Sequence, residues 1–173
     1  MPTKETRFLE LVNQHKGVLY KIARMYQAHT EDQSDLVQEM TLELWRSFDS
    51  FRGDSQFSTW MYKVALNTAI VFLRKEKKRP QSTTLMLHED IADPQDPATA
   101  LEMKEKLTLF YAAVRELGQM EKALVFLYME DVPGAEIAVQ LGISPENVRV
   151  RISRVKDKLT NIIKAKNHGY GRF

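Results

Sequence analysis

The sequence predicts an all-α protein made of two small helical domains joined by a flexible linker. Three observations carry that prediction. Apolar residues recur at spacings of three and four through both halves of the chain, and no stretch alternates convincingly with period two. Only seven glycines interrupt the 173 residues, too few for a turn-rich β fold. Between Pro80 and Thr99 the composition shifts to Pro, Ser, Thr and Asp, which suits an extended connection rather than a packed helix.

Each element follows from local pattern. Phe8, Leu11, Val12, His15, Leu19, Ile22 and Tyr26 share one face of a first amphipathic helix, expected to end near His29. Thr30 with Gln33 has the spacing of a capping box for a second helix. The inward stripe of that helix is Leu36, Val37, Met40, Leu44 and Phe48. Asp49 to Ser58, with Gly53, reads as a loop. A third helix is expected from about Thr59 to Lys78, because the residue before Pro80 is steered out of helical geometry. A second helical block starts near Ala100, with Leu107, Phe110, Tyr111, Val114 and Leu117 as its first stripe. Gly118 breaks it and Glu121 to Glu130 resumes it. Pro133 to Leu141, a stop at Gly142 and a last helix from Ser144 complete the pattern. His168 to Phe173 is expected to fray. The domain boundaries read from this are 1–79 and 101–167, with a linker at 80–100 and a tail at 168–173.

Composition narrows the class. Hydrophobic residues make up 43% and charged residues 28%, the balance of a folded globular chain. No stretch is long and apolar enough to span a bilayer, and MPTKETRFLE lacks the apolar core of a signal peptide. The absence of cysteine excludes a disulfide framework and a Cys-based zinc site. A cytoplasmic protein without membrane insertion is the expectation. The four histidines are scattered without ligand spacing, no Gly-rich phosphate loop follows a strand, and no nucleophile–base constellation is visible. No enzyme, catalytic residue, metal or cofactor is therefore expected.

Net charge is only +2, but its distribution is uneven. Lys63 to Arg79 holds six basic residues and one acid, and Ser144 to Lys166 seven basic and two acidic. His88 to Glu102 holds five acids and no Lys or Arg. Two basic blocks around an acidic spacer suit two contacts with one polyanion. On charge alone they equally suit two solvated helix faces.

Pro133 to Leu159 has helix-turn-helix form. Ile137, Ala138 and Leu141 point inward, Gly142 supplies a left-handed helix end, and Ile143 fills the gap between the helices. Ser144 caps the next helix, and Pro145 takes its first position, where proline loses no hydrogen bond. Val148, Ile152, Val155 and Leu159 form the inward stripe. At about 100° per residue, Glu146, Arg149, Val150, Ser153 and Arg154 point away from it, and Arg151 flanks it. Such a face enters a major groove, where arginine reaches guanine edges or phosphates. A plain αα-hairpin with a basic outer face has the same pattern.

The second helix carries an acidic face of Asp35, Gln38, Glu39 and Glu43, with Leu42 and Trp45 beside it. Carboxylates repel phosphates, so this face suits a basic protein partner or plain solvent. Downstream, FRGDSQFSTW gathers Phe51, Phe57 and Trp60 ahead of the basic helix with Lys63 and Asn67. Aromatic faces stack on unpaired bases at about 1–3 kcal/mol each. Core packing is the alternative, and for Phe51 the favoured one.

Taken together, DLVQE followed by LELW, then FRGDSQFSTWMYKVALNTA, then EIAVQLGISPENVRVRISRVKDKL, resemble the extracytoplasmic function sigma factors of the sigma-70 superfamily. The resemblance runs over nearly the whole chain. It implies a sigma region 2, a linker and a sigma region 4, and a transcription initiation factor with core RNA polymerase and promoter DNA as partners. It assigns Asp35, Gln38, Glu39, Leu42 and Trp45 to the polymerase clamp helices. It assigns Arg52, Phe57, Trp60, Lys63, Asn67, Arg74 and Lys75 to the minus-ten element. Ser144, Glu146, Asn147, Arg149, Val150, Arg151, Ser153 and Arg154 fall at the minus-thirty-five element. An anti-sigma factor is the further partner it implies. The sequence departs from the family where Glu146 and Asn147 replace a frequent Gly-Thr pair and Val150 a frequent Ser, so base contacts there do not carry over. The competing expectation is a stand-alone helix-turn-helix regulator, which leaves the DLVQE helix and the aromatic loop unexplained.

Overall fold

The structure is a computed structural model and describes residues 1–76 and 96–170. The chain divides into two compact units, Met1–Leu85 and Met86–Phe173. Among the described residues every regular element is helical. The linker from Pro80 and the end of the third helix at Lys78 lie outside the described residues, except that part of the linker reaches into 96–100.

The first unit holds α1 (Lys4–Tyr26), α2 (Thr30–Ser47), a 3₁₀ turn (Phe48–Ser50) and α3 (Phe57–Glu76). Each of the three helices packs on the other two. Thr3 caps α1 by accepting the Thr6 amide at 3.1 Å. Leu19, Ile22, Leu36, Met40, Leu44 and Met61 are buried between the helices. Burial of each such side chain is worth about 1.5–3 kcal/mol.

The helix limits differ from expectation in three places here. Helix α1 ends at Tyr26, three residues early, because Gln27 turns extended and caps with its own amide on the Ala23 carbonyl. The Gln27 side chain is drawn inward and donates to Glu76 at the end of α3. The expected Thr30–Gln33 capping box does not form. His29 is the N-cap of α2, without a side-chain cap bond, and Gln33 donates instead to the Gln27 carbonyl at 3.0 Å. That carbonyl lies at the end of α1, so the Gln33 side chain ties the start of α2 to it. Finally, α3 begins at Phe57 rather than Thr59, because the Phe57 ring anchors in the core.

The second unit holds α4 (Pro97–Arg115), α5 (Gln119–Met129), α6 (Gly134–Leu141) and α7 (Pro145–Tyr170). Helix α4 starts three residues before Ala100. Asp96 caps it, accepting from the Ala98 amide at 3.3 Å and the Thr99 hydroxyl at 2.8 Å, and Pro97 takes the first position. Tyr111, Val114, Leu117, Phe126, Ile137, Val148 and Val155 form the core. Helix α7 continues through Tyr170, so His168 to Tyr170 are helical rather than frayed. Among the described residues no helix is long and apolar enough to cross a membrane.

Candidate protein and nucleic-acid interfaces

In the first unit, α2 and α3 leave a groove of about 890 Å³ between them. One wall is Asp35, Gln38, Glu39, Leu42 and Glu43 from α2, and the other includes Val64, Asn67, Val71 and Lys75 from α3. Leu42 and Val71 are 42% and 46% exposed, so two apolar side chains stand in the open beside carboxylates. An apolar rim with an acidic wall fits a basic amphipathic protein segment. The sequence reading placed Asp35, Gln38, Glu39 and Leu42 together, and the structure does so. It also brings Asn67 and Lys75, both assigned to DNA, into the same groove. Val71 was missed because an isolated valine in a helical pattern reads as core.

Trp45 is not a lining residue of this groove. Its ring is 36% exposed and meets the edge of Phe8 at a centroid distance of 5.0 Å. The Lys4 ammonium lies 4.9 Å over it and pairs with Asp49 at 2.7 Å. The first turn of α1 therefore clamps Trp45, a role for Lys4 and Phe8 that needs the tertiary structure to see.

The aromatic loop is a packed cluster. Phe57 is only 7% exposed and is surrounded by His15, Phe48, Phe51 and Trp60, at ring distances of 5.7, 6.4, 5.5 and 5.5 Å. Little of its ring is exposed, and it is the floor on which the others rest. Trp60 is half-buried, against Phe48, Phe51 and Phe57, and keeps part of its ring accessible. Arg52 lies in the exposed loop before it, next to Gly53, whose φ of 80° is a left-handed value that glycine adopts without strain. From Trp60, the side chains Lys63, Asn67, Val71 and Arg74 run along one face of α3, all exposed after the tryptophan. At about 1.5 Å per residue that stripe is about 21 Å long. Lys75 is exposed at its edge.

In the second unit the helix-turn-helix forms as its residues require. Gly142 ends α6 at φ 67°, ψ 35°, and the Ile143 amide reaches back to the Ala138 carbonyl at 3.1 Å. The Ser144 hydroxyl accepts the Asn147 amide at 3.2 Å. Val148 and Val155 are buried and Ile152 and Leu159 half-buried, so the inward stripe is real. Ser144, Glu146, Asn147, Arg149, Val150, Arg151, Ser153 and Arg154 are all exposed. Glu146 sits in the first turn, where the helix dipole favours it but a phosphate would not.

Helix α7 is tied to its neighbours by cross-helix polar contacts. Lys158 bonds Glu121 at 2.8 Å, and the same carboxylate oxygen accepts the Gly118 amide at 2.8 Å. Partial burial pushes the Glu121 carboxyl up, but the bonds from Lys158 and Gly118 outweigh it and hold the group below its ordinary value. Lys166 pairs with Glu116 at 2.5 Å, and Lys156 bonds the Tyr128 hydroxyl at 2.6 Å.

Comparison with known proteins accounts for both units. Residues 11–79 match the Sigma-70 region 2 family model, and residues 107–159 the Sigma-70, region 4 model. The chain is 29% identical over 156 residues to the ECF RNA polymerase sigma factor SigG of Mycobacterium tuberculosis, covering 76% of this chain and 42% of that relative. It is 28% identical over 142 residues to the ECF RNA polymerase sigma-E factor of Escherichia coli K12, covering 75% of this chain and 73% of that protein. The chain thus spans less than half of the mycobacterial relative. Among solved structures, RpoE of Bartonella quintana, in complex with the anti-sigma factor NepR, superposes with a TM-score of 0.70 at 18% identity, covering 91% and 97% of the two chains. CnrH, in complex with the cytosolic domain of CnrY, gives 0.61 at 23% identity, covering 91% and 88%. At these identities the structural likeness concerns the fold.

Proposed function

The chain belongs to the extracytoplasmic function sigma factors, and from that premise we propose that it is a transcription initiation factor that binds bacterial core RNA polymerase and directs promoter recognition and melting. The observation that carries this reading is the coexistence, on one chain, of an acidic groove with open apolar side chains, an aromatic cluster feeding a basic helix, and an exposed basic helix-turn-helix. A stand-alone regulator has no use for the first two.

Residues 1–79 act as region 2. The α2 wall of Asp35, Gln38, Glu39 and Leu42 docks on the basic clamp helices, with Trp45 held alongside by Lys4 and Phe8. The exposed part of Trp60 stacks on an unpaired minus-ten base, Arg52 and Lys63 hold the backbone, and Asn67 faces the upstream edge. Arg74 and Lys75 contact phosphates. Trapping unpaired bases shifts the duplex equilibrium toward the melted form. Residues 101–167 act as region 4 and set α7 in the major groove of the minus-thirty-five element. The residues between α3 and α4 connect the two.

The protein works without catalysis of its own, in the cytoplasm, where polymerase and promoter are. Free of polymerase it binds DNA weakly, since one small basic face supplies few phosphate contacts at cellular salt. RpoE is in complex with the anti-sigma factor NepR and CnrH with the cytosolic domain of CnrY, and the α2–α3 groove of this chain has the chemistry to accept a partner segment. The test is association with purified core polymerase followed by transcription from a promoter library. Assembly with enrichment of paired upstream motifs supports the reading. Failure of intact protein to assemble refutes it and favours the stand-alone regulator.

A further inference from the structure

We infer that Gln27, at the end of α1, is a positioning residue for promoter binding: its buried side-chain amide holds Glu76 and thereby fixes the last turn of α3, from which Arg74 and Lys75 reach the DNA backbone. The inference rests on the region 2 reading above and adds to it two residues outside every site assigned from the sequence.

The first observation is how Gln27 is held. It is 7% exposed, and among the described residues Lys122 is the only other polar residue so buried. A buried amide costs free energy unless it is bonded. Gln27 makes three bonds, each to a different helix. Its backbone N–H donates to the Ala23 carbonyl in α1 at 2.8 Å, and its carbonyl accepts from the Gln33 side chain in α2 at 3.0 Å. Its side chain donates to the Glu76 carboxylate in α3, 49 residues away. A bond from an amide to a carboxylate is charge-assisted and stronger than a neutral one. Gln27 is therefore an anchor, fixed to α1 and α2, that reaches out to α3.

The second observation is where Glu76 stands. It shares the last turn of α3 with Arg74 and Lys75. The negative end of the helix dipole favours the two cations there and disfavours the carboxylate. A carboxylate beside residues assigned to phosphates also repels those phosphates. Neither helix stability nor DNA attraction accounts for Glu76 at this place, whereas the bond to Gln27 does. Arg74 and Lys75 are exposed, so the backbone they stand on is what sets their position. The carbonyls of a last turn lack intrahelical partners, and such turns open readily. A turn tied down in advance spares the bound complex the ordering cost that a loose end incurs.

The experiment uses the full chain, free and assembled with core polymerase. Gln27→Met keeps the side-chain length and loses the donor. In the free chain it is expected to speed hydrogen exchange at the amides of the last turn of α3 by about tenfold. Glu76→Ala, which breaks the same bond from its half-buried end, should do likewise, and Glu76→Gln, which keeps an acceptor, should not. Gln27→Met should assemble with polymerase as the wild type does, because the Gln27 carbonyl still holds Gln33 and the start of α2. Its holoenzyme should bind promoter DNA about three- to tenfold more weakly, with an unchanged slope of log affinity against log salt, since the same phosphates are contacted once bound. Arg74→Gln with Lys75→Gln should instead lower that slope by about 1.8, and in this background Gln27→Met should cost nothing further. A merely structural role for Gln27 would not produce that loss of effect. Unchanged exchange in Gln27→Met, or a DNA defect that persists in the Arg74→Gln, Lys75→Gln background, overturns the inference alone. Unchanged DNA affinity and slope in Arg74→Gln with Lys75→Gln overturns the region 2 assignment of that pair, and the inference with it.

Discussion

Phe57 and Trp60 are adjacent in space and were indistinguishable as candidates for base contact, but their burial predicts opposite consequences of substitution. Phe57→Leu removes a buried ring with four aromatic neighbours. Most apolar volume is kept, so the loss is in ring packing and shape, at about 2 kcal/mol in total. Against a stability of about 4–11 kcal/mol for a unit of this size, that lowers its melting temperature by about 10 °C. Trp60→Leu affects a half-buried ring and costs about 1 kcal/mol of stability, but it removes the accessible face. If that face stacks on an extruded base, the substitution costs a further 1–3 kcal/mol in the melted complex, about 5- to 150-fold. Calorimetry of the free chain gives the stability terms. Fluorescence of 2-aminopurine in the minus-ten element gives open-complex formation by the holoenzyme, measured well below both melting temperatures. Phe57→Leu should melt early but open promoters normally, whereas Trp60→Leu should melt late and open them poorly. Normal opening by Trp60→Leu, or a defect in Phe57→Leu without loss of stability, would refute the division of roles.

Three further outcomes follow from the same geometry. Asp35→Asn with Glu39→Gln should leave the melting temperature within about 2–3 °C, since neither carboxylate carries an ion pair among the described residues, yet weaken core polymerase binding about 100-fold at about 1.5 kcal/mol per lost charge pair; titration calorimetry measures the binding. Gly142→Ala forces a Cβ into a left-handed conformation in open space, so its whole cost is backbone, about 1–2 kcal/mol, read from thermal melts of the second unit. Glu121 has a folded pKa below its ordinary value, so its stabilising contribution is present above the ordinary carboxylate range and is lost as pH falls through the folded value. Melts from pH 7 down to pH 3 should therefore show a shallower acid loss in Glu121→Gln, a small change because the pair is solvent-screened.

The sequence by itself determined most of what depends on residues within one helical turn of each other, the Asp96 cap that starts α4 ahead of Ala100 being an exception. The helix-turn-helix was legible because Gly142, Ser144 and Pro145 encode helix end, cap and first position by their own backbone preferences. The inward stripes and the acidic wall were legible because helical periodicity fixes which side chains share a face. Tertiary structure decided whatever required competition between distant groups. The Gln33 side chain reaches the Gln27 carbonyl because packing brings the end of α1 beside the start of α2. Phe57 became core and Trp60 only partly so, because four rings from three segments converge there. Asn67 and Lys75 joined the acidic wall, and Lys156 came to rest on Tyr128, because packing places α3 beside α2 and α7 against α5. Spacing along one helix says which way a side chain leaves its own axis; only the packed neighbours determine whether it meets solvent, a carboxylate or a ring.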